Sequence, residues 1–210
     1  VTVTVTDPDG LTATRTFAVD VNVAPQISAS NVTLVAGEAL SILPLVVDPD
    51  SAAGSLTYAL AAGAPAWLVV DSATGEVTGD TTGQIGVTSF GLTVMDEAGL
   101  SASTTVTVTV RARPVLVLTD ASLTEGAALS HSISATDADS ALGSLRFTKI
   151  AGPDWISVDP LTGTLTGDSA GHVGTVPVTI RVVDPDGLAA EGSVRVRVNA
   201  VPMISLSDQI

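Results

Sequence analysis

Apolar and polar residues alternate with a period of two along most of the chain. Val1, Val3 and Val5 stand among threonines, and Val106, Val108 and Val110 do the same. Such alternation puts one apolar set on one face of an extended strand, and the three-to-four spacing of an amphipathic helix does not occur. Valine and threonine dominate these stretches, and both are stiff at χ1 and suited to a pleated surface. Turn-forming clusters interrupt the pattern at short intervals: "AGEA" near 37, "DPDSAAG" from 48, "AAGAPA" from 61, "DSATGE" from 71, "GDTTGQIG" from 79 and "DEAGLS" from 96. Six turns separate seven strands. Seven short antiparallel strands within about 90 residues predict an all-β fold, a Greek-key β-sandwich of immunoglobulin-like kind. The cysteine pair of antibody domains is missing, since the chain has no Cys.

The pattern recurs. Pro25, Pro114 and Pro202 lie in "NVAPQIS", "RARPVLV" and "NAVPMIS"; "DPDSAAGSLTY" from Asp48 returns as "DADSALGSLRF" from Asp137; "WLVVDSATGEVTGD" from Trp67 returns as "WISVDPLTGTLTGD" from Trp155. The steps are 88 or 89 residues, too long for a solenoid turn and right for a complete small domain. This frame predicts whole repeats at 25–113 and 114–200, the closing strands of a preceding repeat at 1–24, and the start of a following one at 201–210. The chain is therefore expected to be a piece of a longer array.

Together these landmarks resemble the cadherin-like repeats of bacterial surface proteins, especially the dystroglycan-type cadherin-like and "putative Ig" families. The resemblance rests on "VVDPDSAAGSLTYAL" and "ATDADSALGSLRFTKI", on the Trp strand with "VDSATGEVTGD" or "VDPLTGTLTGD", and on a closing V-x-D-x-x-G-L hairpin. It implies extracellular tandem sandwiches with Ca²⁺ between successive domains. Topology adds an independent expectation. In a seven-stranded sandwich the loops after strands 2, 4 and 6 lie at the end where the domain begins, beside the incoming linker. For the first repeat this gathers Asp48, Asp50, Asp71, Asp96 and Glu97 near Asp20 and Asn22. Ca²⁺ takes 6 to 8 hard oxygens, and Asp20, Asn22, Asp48, Asp50 and Asp96 are the candidate ligands. At the second joint Arg111 and Arg113 stand where Asn22 and Ala24 stand at the first. Asp137, Asp139, Asp184 and Asp186 are there expected to pair with guanidinium, because Arg presents a planar fork to carboxylates, a weaker metal joint being the alternative. Departures from the cadherin pattern are a linker poorer in ligands and Ala36 where Glu125 matches the first-turn glutamate. Ordinary turn chemistry is the competing reading of all these acids.

With 22 acidic against 8 basic residues the net charge is −14, which argues against nucleic-acid or anionic-membrane partners. No apolar run reaches the ~18 residues of a membrane span, and the opening residues have no basic or apolar signal-peptide region. No constellation for catalysis is visible: His131 and His172 do not recur between repeats, no nucleophile elbow exists, and Asp48 with Asp96 would sit on loop tips without a pocket. Trp67 and Trp155 read as filling the space between sheets, the other reading being a sugar platform; Tyr58 and Phe147 read as core. Asn31 opens a weak glycosylation sequon. The preferred reading is a non-catalytic stalk of an extracellular or cell-surface bacterial adhesin or matrix protein. It contacts neighbouring repeats of its own chain, other copies, or cell-surface carbohydrate. Alternatives are a carbohydrate- or protein-binding module acting through its loop rim, and a filament subunit assembled by strand pairing between chains.

Overall fold

The computed structural model describes residues 1–52, 54–141 and 143–204; most of the expected following repeat, residues 205–210, lies outside the described residues. The described residues form only strands and turns. Contacts gather into two compact units, one of Val1–Val32, Ala39–Asp80 and Thr88–Val108, the other of Thr33–Glu38, Thr81–Val87 and the chain from Thr109 onward.

The chain opens with a hairpin of β1 (Thr2–Thr6) and β2 (Thr12–Thr16), in register from Thr2 opposite Thr16 to Thr6 opposite Thr12. Then follow β3 (Gln26–Ser28), β4 (Val32–Val35), β5 (Ala39–Ile42), β6 (Leu45–Val47), β7 (Thr57–Leu60), β8 (Leu68–Val70), β9 (Val77–Asp80), β10 (Gly86–Met95) and β11 (Ser101–Arg111). They form the sheets β4-β11-β10-β7, β5-β9-β8 and β3-β6. The same order returns as β12 (Val115–Val117), β13 (Ala121–Thr124), β14 (Ala128–Ser132), β15 (Ser134–Thr136), β16 (Arg146–Ala151), β17 (Ile156–Val158), β18 (Thr164–Asp168), β19 (Gly174–Val183) and β20 (Ala189–Asn199). Its sheets are β13-β20-β19-β16, β14-β18-β17 and β12-β15.

Nine segments stand where the turn count predicts seven strands, because the first two strands of each repeat are broken. The first strand begins antiparallel to the second (β12 with β15), then crosses to lie parallel to the last (β13 with β20). At the crossing the last strand has an unpaired N–H, and a side chain replaces the missing carbonyl. Asn31 Oδ1 accepts from Thr107 N at 2.8 Å, and Asp120 Oδ1 accepts from Arg195 N at 2.8 Å. The second strand of the first repeat breaks at Leu43-Pro44, where proline cannot donate to a ladder.

The alternation read from the sequence gives the cores. In the first repeat Leu40, Leu68, Val77, Phe90, Leu92, Val94, Val106 and Val108 are buried. In the second, Leu129, Phe147, Ile156, Leu165, Ile180, Val182, Val194 and Val196 pack as one cluster. Phe147 is fully inside, whereas Tyr58 is half-buried and its burial pushes the phenol up. The tryptophans sit at the margin of the sandwich rather than at its centre. Both are half-buried, and each ring lies against a glycine of the neighbouring strand, Trp67 on Gly79 and Trp155 on Gly167. A Cβ at position 79 would come within 2.7 Å of the Trp67 ring, so these glycines make room for indole.

Candidate functional site

In the first unit the segment at Asn22 and Val23 meets Asp96 and Asp50, while Asp48 is held by the turn it opens. Asp96 Oδ1 accepts from Leu100 N at 2.8 Å, closing its hairpin, and Asp96 Oδ2 accepts from Asn22 Nδ2 at 2.8 Å. Asp50 Oδ2 accepts from Val23 N at 2.9 Å. Asp48 Oδ1 receives Asp50 N and Asp48 Oδ2 receives the Ser51 hydroxyl at 2.9 Å. Desolvation opposes ionisation of Asp48, yet the Ser51 and Asp50 donors outweigh it and hold the carboxyl below its usual range. Asp20 is exposed. Asp71 turns to its own loop, accepting from Ala73 N and Thr74 N at 2.8 and 3.0 Å, and these bonds lower its pKa.

The second unit repeats this frame but leaves different atoms unsatisfied. Asp184 Oδ1 accepts from Leu188 N, Asp137 Oδ1 from Asp139 N, and Asp139 Oδ1 from Ala112 N. The second oxygen of all three, Oδ2 of Asp137, Asp139 and Asp184, is buried without a hydrogen-bond partner. Asp184 is 6% exposed. Two sequence differences account for this. Arg111 replaces Asn22 and Asp186 replaces Ala98, so the residue that would reach Asp184 turns instead to Asp186, at 2.7 Å, and stands only 4.0 Å from Asp139. Ser140, the counterpart of Ser51, makes no bond to Asp137 that matches the one Ser51 makes to Asp48. Burial first, then the neighbouring Asp139 and Asp184 carboxylates, push the Asp137 carboxyl up. Arg113 is exposed.

Buried polar atoms without partners are uncommon in folded proteins and cost free energy. A carboxylate oxygen left unmet by protein donors can be satisfied by a hard cation. Among the described residues no group of three or more His, Cys, Asp or Glu side chains is drawn together as a ready metal-ligand set. The unmet carboxylate oxygens lie in the second unit, whereas in the first Asn22, Ser51 and Val23 already occupy the carboxylates.

The histidines hold structural contacts that the sequence does not signal. His131 Nε2 lies 2.7 Å from Thr119 O, beside the interruption between β12 and β13. The His172 ring stacks on Trp155 with centroids 4.9 Å apart and planes 8° from parallel, which covers the indole that a sugar platform would need free. Asp154 and His172 flank Trp155, where the first repeat has Ala66 and Gln84.

The family model described as "Putative Ig domain" matches residues 24–111 and again 113–199. No curated protein matches the chain. Among solved structures, protocadherin gamma B2 extracellular cadherin domains 3-6 superpose with a TM-score of 0.51 at 19% identity, covering 90% of this chain and 54% of that one. Human protocadherin-24 EC1-2 gives 0.51 at 16% identity, covering 87% and 100%. Mouse cadherin-23 EC22-24 gives 0.50 at 21% identity, covering 86% and 67%. The chain thus spans about half the length of the gamma B2 fragment, and at these identities the likeness is one of fold.

Proposed function

The chain belongs to the Putative Ig domain family, and from that premise we propose that it is part of the non-catalytic stalk of an extracellular bacterial adhesin or matrix protein, its joints stiffened by Ca²⁺. The tandem matches and the likeness to cadherin ectodomains support an adhesion-type extracellular repeat, a fold that is not typically catalytic. Among the described residues no helix is long and apolar enough to cross a membrane. The repeat frame of 25–113 and 114–200 divides the stalk into units, with neighbouring repeats as first partners.

The observation that carries the calcium reading is the set of buried Oδ2 atoms on Asp137, Asp139 and Asp184 that have no hydrogen-bond partner. In this reading those three side chains hold the ion, and Ca²⁺ would supply the positive charge and coordination their second oxygens lack. Asp186 remains engaged with Arg111, whose cation limits how much negative charge the ion must offset. The Asp20, Asn22, Asp48, Asp50 and Asp96 set is the weaker candidate, because protein donors already occupy most of it. Small-angle X-ray scattering with Ca²⁺ and with chelator tests the mechanical half of the proposal. A stiffened stalk narrows its distance distribution when Ca²⁺ is present, and identical profiles in both buffers would refute it.

A further inference from the structure

In a chain of net charge −14, the outer face of the sheet β13-β20-β19-β16 is basic. Burial alternates along β20 and β19, so Val194, Val196 and Val198 point inward while Arg195 and Arg197 point out, and Ile180 and Val182 point inward while Arg181 points out. On β16, Phe147 is buried and Arg146 exposed. Four of the eight Lys and Arg residues therefore share one sheet face. The corresponding residues of the first repeat are Thr57, Thr93, Thr107 and Thr109. Every one of the four positions is threonine there and arginine here, a change that neither the strand pattern nor the core requires.

Neighbours on this face are mostly hydroxyls, with Pro177, Val183 and the acid Glu191 among them. Arg197 lies opposite Thr175 on one side and Ser122 on the other, and Arg195 lies opposite Pro177. Arg195 and Arg197 project side by side, roughly 7 Å apart along the strand, over a shallow groove of about 250 Å³ lined also by Asp120, Ala121, Ser122 and Thr175. Asp120 is engaged by the Arg195 N–H at 2.8 Å. Arg181 Nε stands 3.9 Å from Glu191, a pair in which both side chains are about half exposed. Arg146 turns its Nη1 to Gly143 O and Leu145 O, which leaves Arg181, Arg195 and Arg197 as the guanidinium groups facing outward.

We propose that this face binds an acidic polysaccharide, its carboxylates or sulfates pairing with Arg181, Arg195 and Arg197 and its hydroxyls meeting the Ser and Thr rows. Charge complementarity selects an anion, and guanidinium forks bind planar or tetrahedral oxyanions in bidentate fashion. Composition selects carbohydrate over protein: the centre of a protein interface is apolar and aromatic, and this face offers no aromatic side chain and little apolar surface beyond Pro177 and Val183. The flanking acids elsewhere on the chain disfavour a densely charged nucleic acid. The site is separate from the loop acids of the calcium proposal.

The test is affinity electrophoresis of residues 1–210 in calcium-free gels containing polygalacturonate, dextran sulfate, neutral dextran or single-stranded DNA. The triple variant R181T/R195T/R197T serves as comparison; it installs the first repeat's own residues and should keep the fold. Retardation by one or both acidic polysaccharides, absent with dextran and weakened at least tenfold in the triple variant, is the expected result. Raising salt should abolish it, as expected when guanidinium groups displace counterions. Equal retardation of the variant, no retardation of the wild-type protein at about 50 mM salt, or retardation by DNA as strong as by polysaccharide would each overturn the proposal. So would loss of salt-sensitive self-association in the variant, seen by sedimentation, without any polysaccharide binding. Should the triple variant fail to fold, R195T and R197T singly are expected to weaken retardation severalfold, and unchanged retardation in both refutes the assignment.

Discussion

Replacing Arg111 with alanine removes the cation that stands beside Asp139 and Asp186. Its Nη1 lies 2.7 Å from Asp186 and 4.0 Å from Asp139, with Arg111 39% and Asp186 31% exposed. At the nearer distance Coulomb attraction runs from about 1.5 kcal/mol in water to about 6 kcal/mol at an effective dielectric of 20. Exposure of more than a third of the guanidinium places the pair toward the lower figure. Loss of Arg111 should therefore cost about 1–2 kcal/mol, or roughly 4–16 °C in the midpoint of a domain this size. The loss should also depend on protonation. Asp137 already has a raised pKa, so its contribution to stability is present at low pH and declines as pH rises from its usual 3.8 through the raised value. Removing Arg111 takes a positive charge from Asp139 and Asp186, which strengthens repulsion among neighbouring carboxylates, and the variant should regain stability on mild acidification more than the wild type does. Urea unfolding of Arg111→Ala and wild type at pH 7 and pH 5, each with Ca²⁺ and with chelator, measures this. A penalty below about 0.3 kcal/mol, or one unmoved by both acid and Ca²⁺, would refute the electrostatic account of the cluster.

Other consequences are more local. Gly79→Ala and Gly167→Ala should each destabilise by about 1–3 kcal/mol through overpacking against tryptophan, with altered indole fluorescence, whereas Gly79→Ala should leave the second repeat's unfolding unchanged. Asn31→Ala and Asp120→Ala should each cost about 1 kcal/mol by stranding the Thr107 or Arg195 N–H, measured by denaturant unfolding and by faster amide exchange at that residue. Asp71→Ala and Asp159→Ala remove carboxylates whose pKa the backbone donors of Ala73 and Thr74, or of Leu161 and Thr162, hold below 3.8. Their contribution is present above that pH and lost as pH falls through the folded value, so the stability gap to wild type should close in acid.

Much of the fold was legible because its determinants are local: the two-residue alternation marks Val106, Val108 and Val110 as inward, and turn residues mark each reversal. The broken strands were less so. Pro44 gives a signal for the break between β5 and β6, yet nothing in "HSISAT" announces the one between β14 and β15. Their pairings depend on which distant strand runs alongside, which period-two patterning does not encode. The pattern puts tryptophan between the sheets, deeper than it lies, since only the strand register reveals Gly79 and Gly167 opposite the residues that follow Trp67 and Trp155. Among the acids, the contacts of Asp96 with Asn22 and of Asp186 with Arg111 agree with the topology, whereas Asp71 stays within its own loop and Asp20 is exposed. Which cluster is left unsatisfied does not follow from topology, because it turns on whether Arg111 reaches Asp184 or Asp186, a choice between two hydrogen-bond geometries on one loop. The stacking of His172 on Trp155 likewise arises from residues 17 positions apart, with the Gln84-to-His172 change between repeats as its single trace.

The calcium assignment at the centre of this account is tested most directly by thermal unfolding with excess Ca²⁺ and with chelator, in wild type, Asp184→Asn and Asp48→Asn. An ion bound only by the native state raises Tm by mass action. Ca²⁺ should raise Tm in wild type and in Asp48→Asn and leave Asp184→Asn unmoved. No rise in wild type, or a rise that Asp48→Asn abolishes and Asp184→Asn retains, would contradict it.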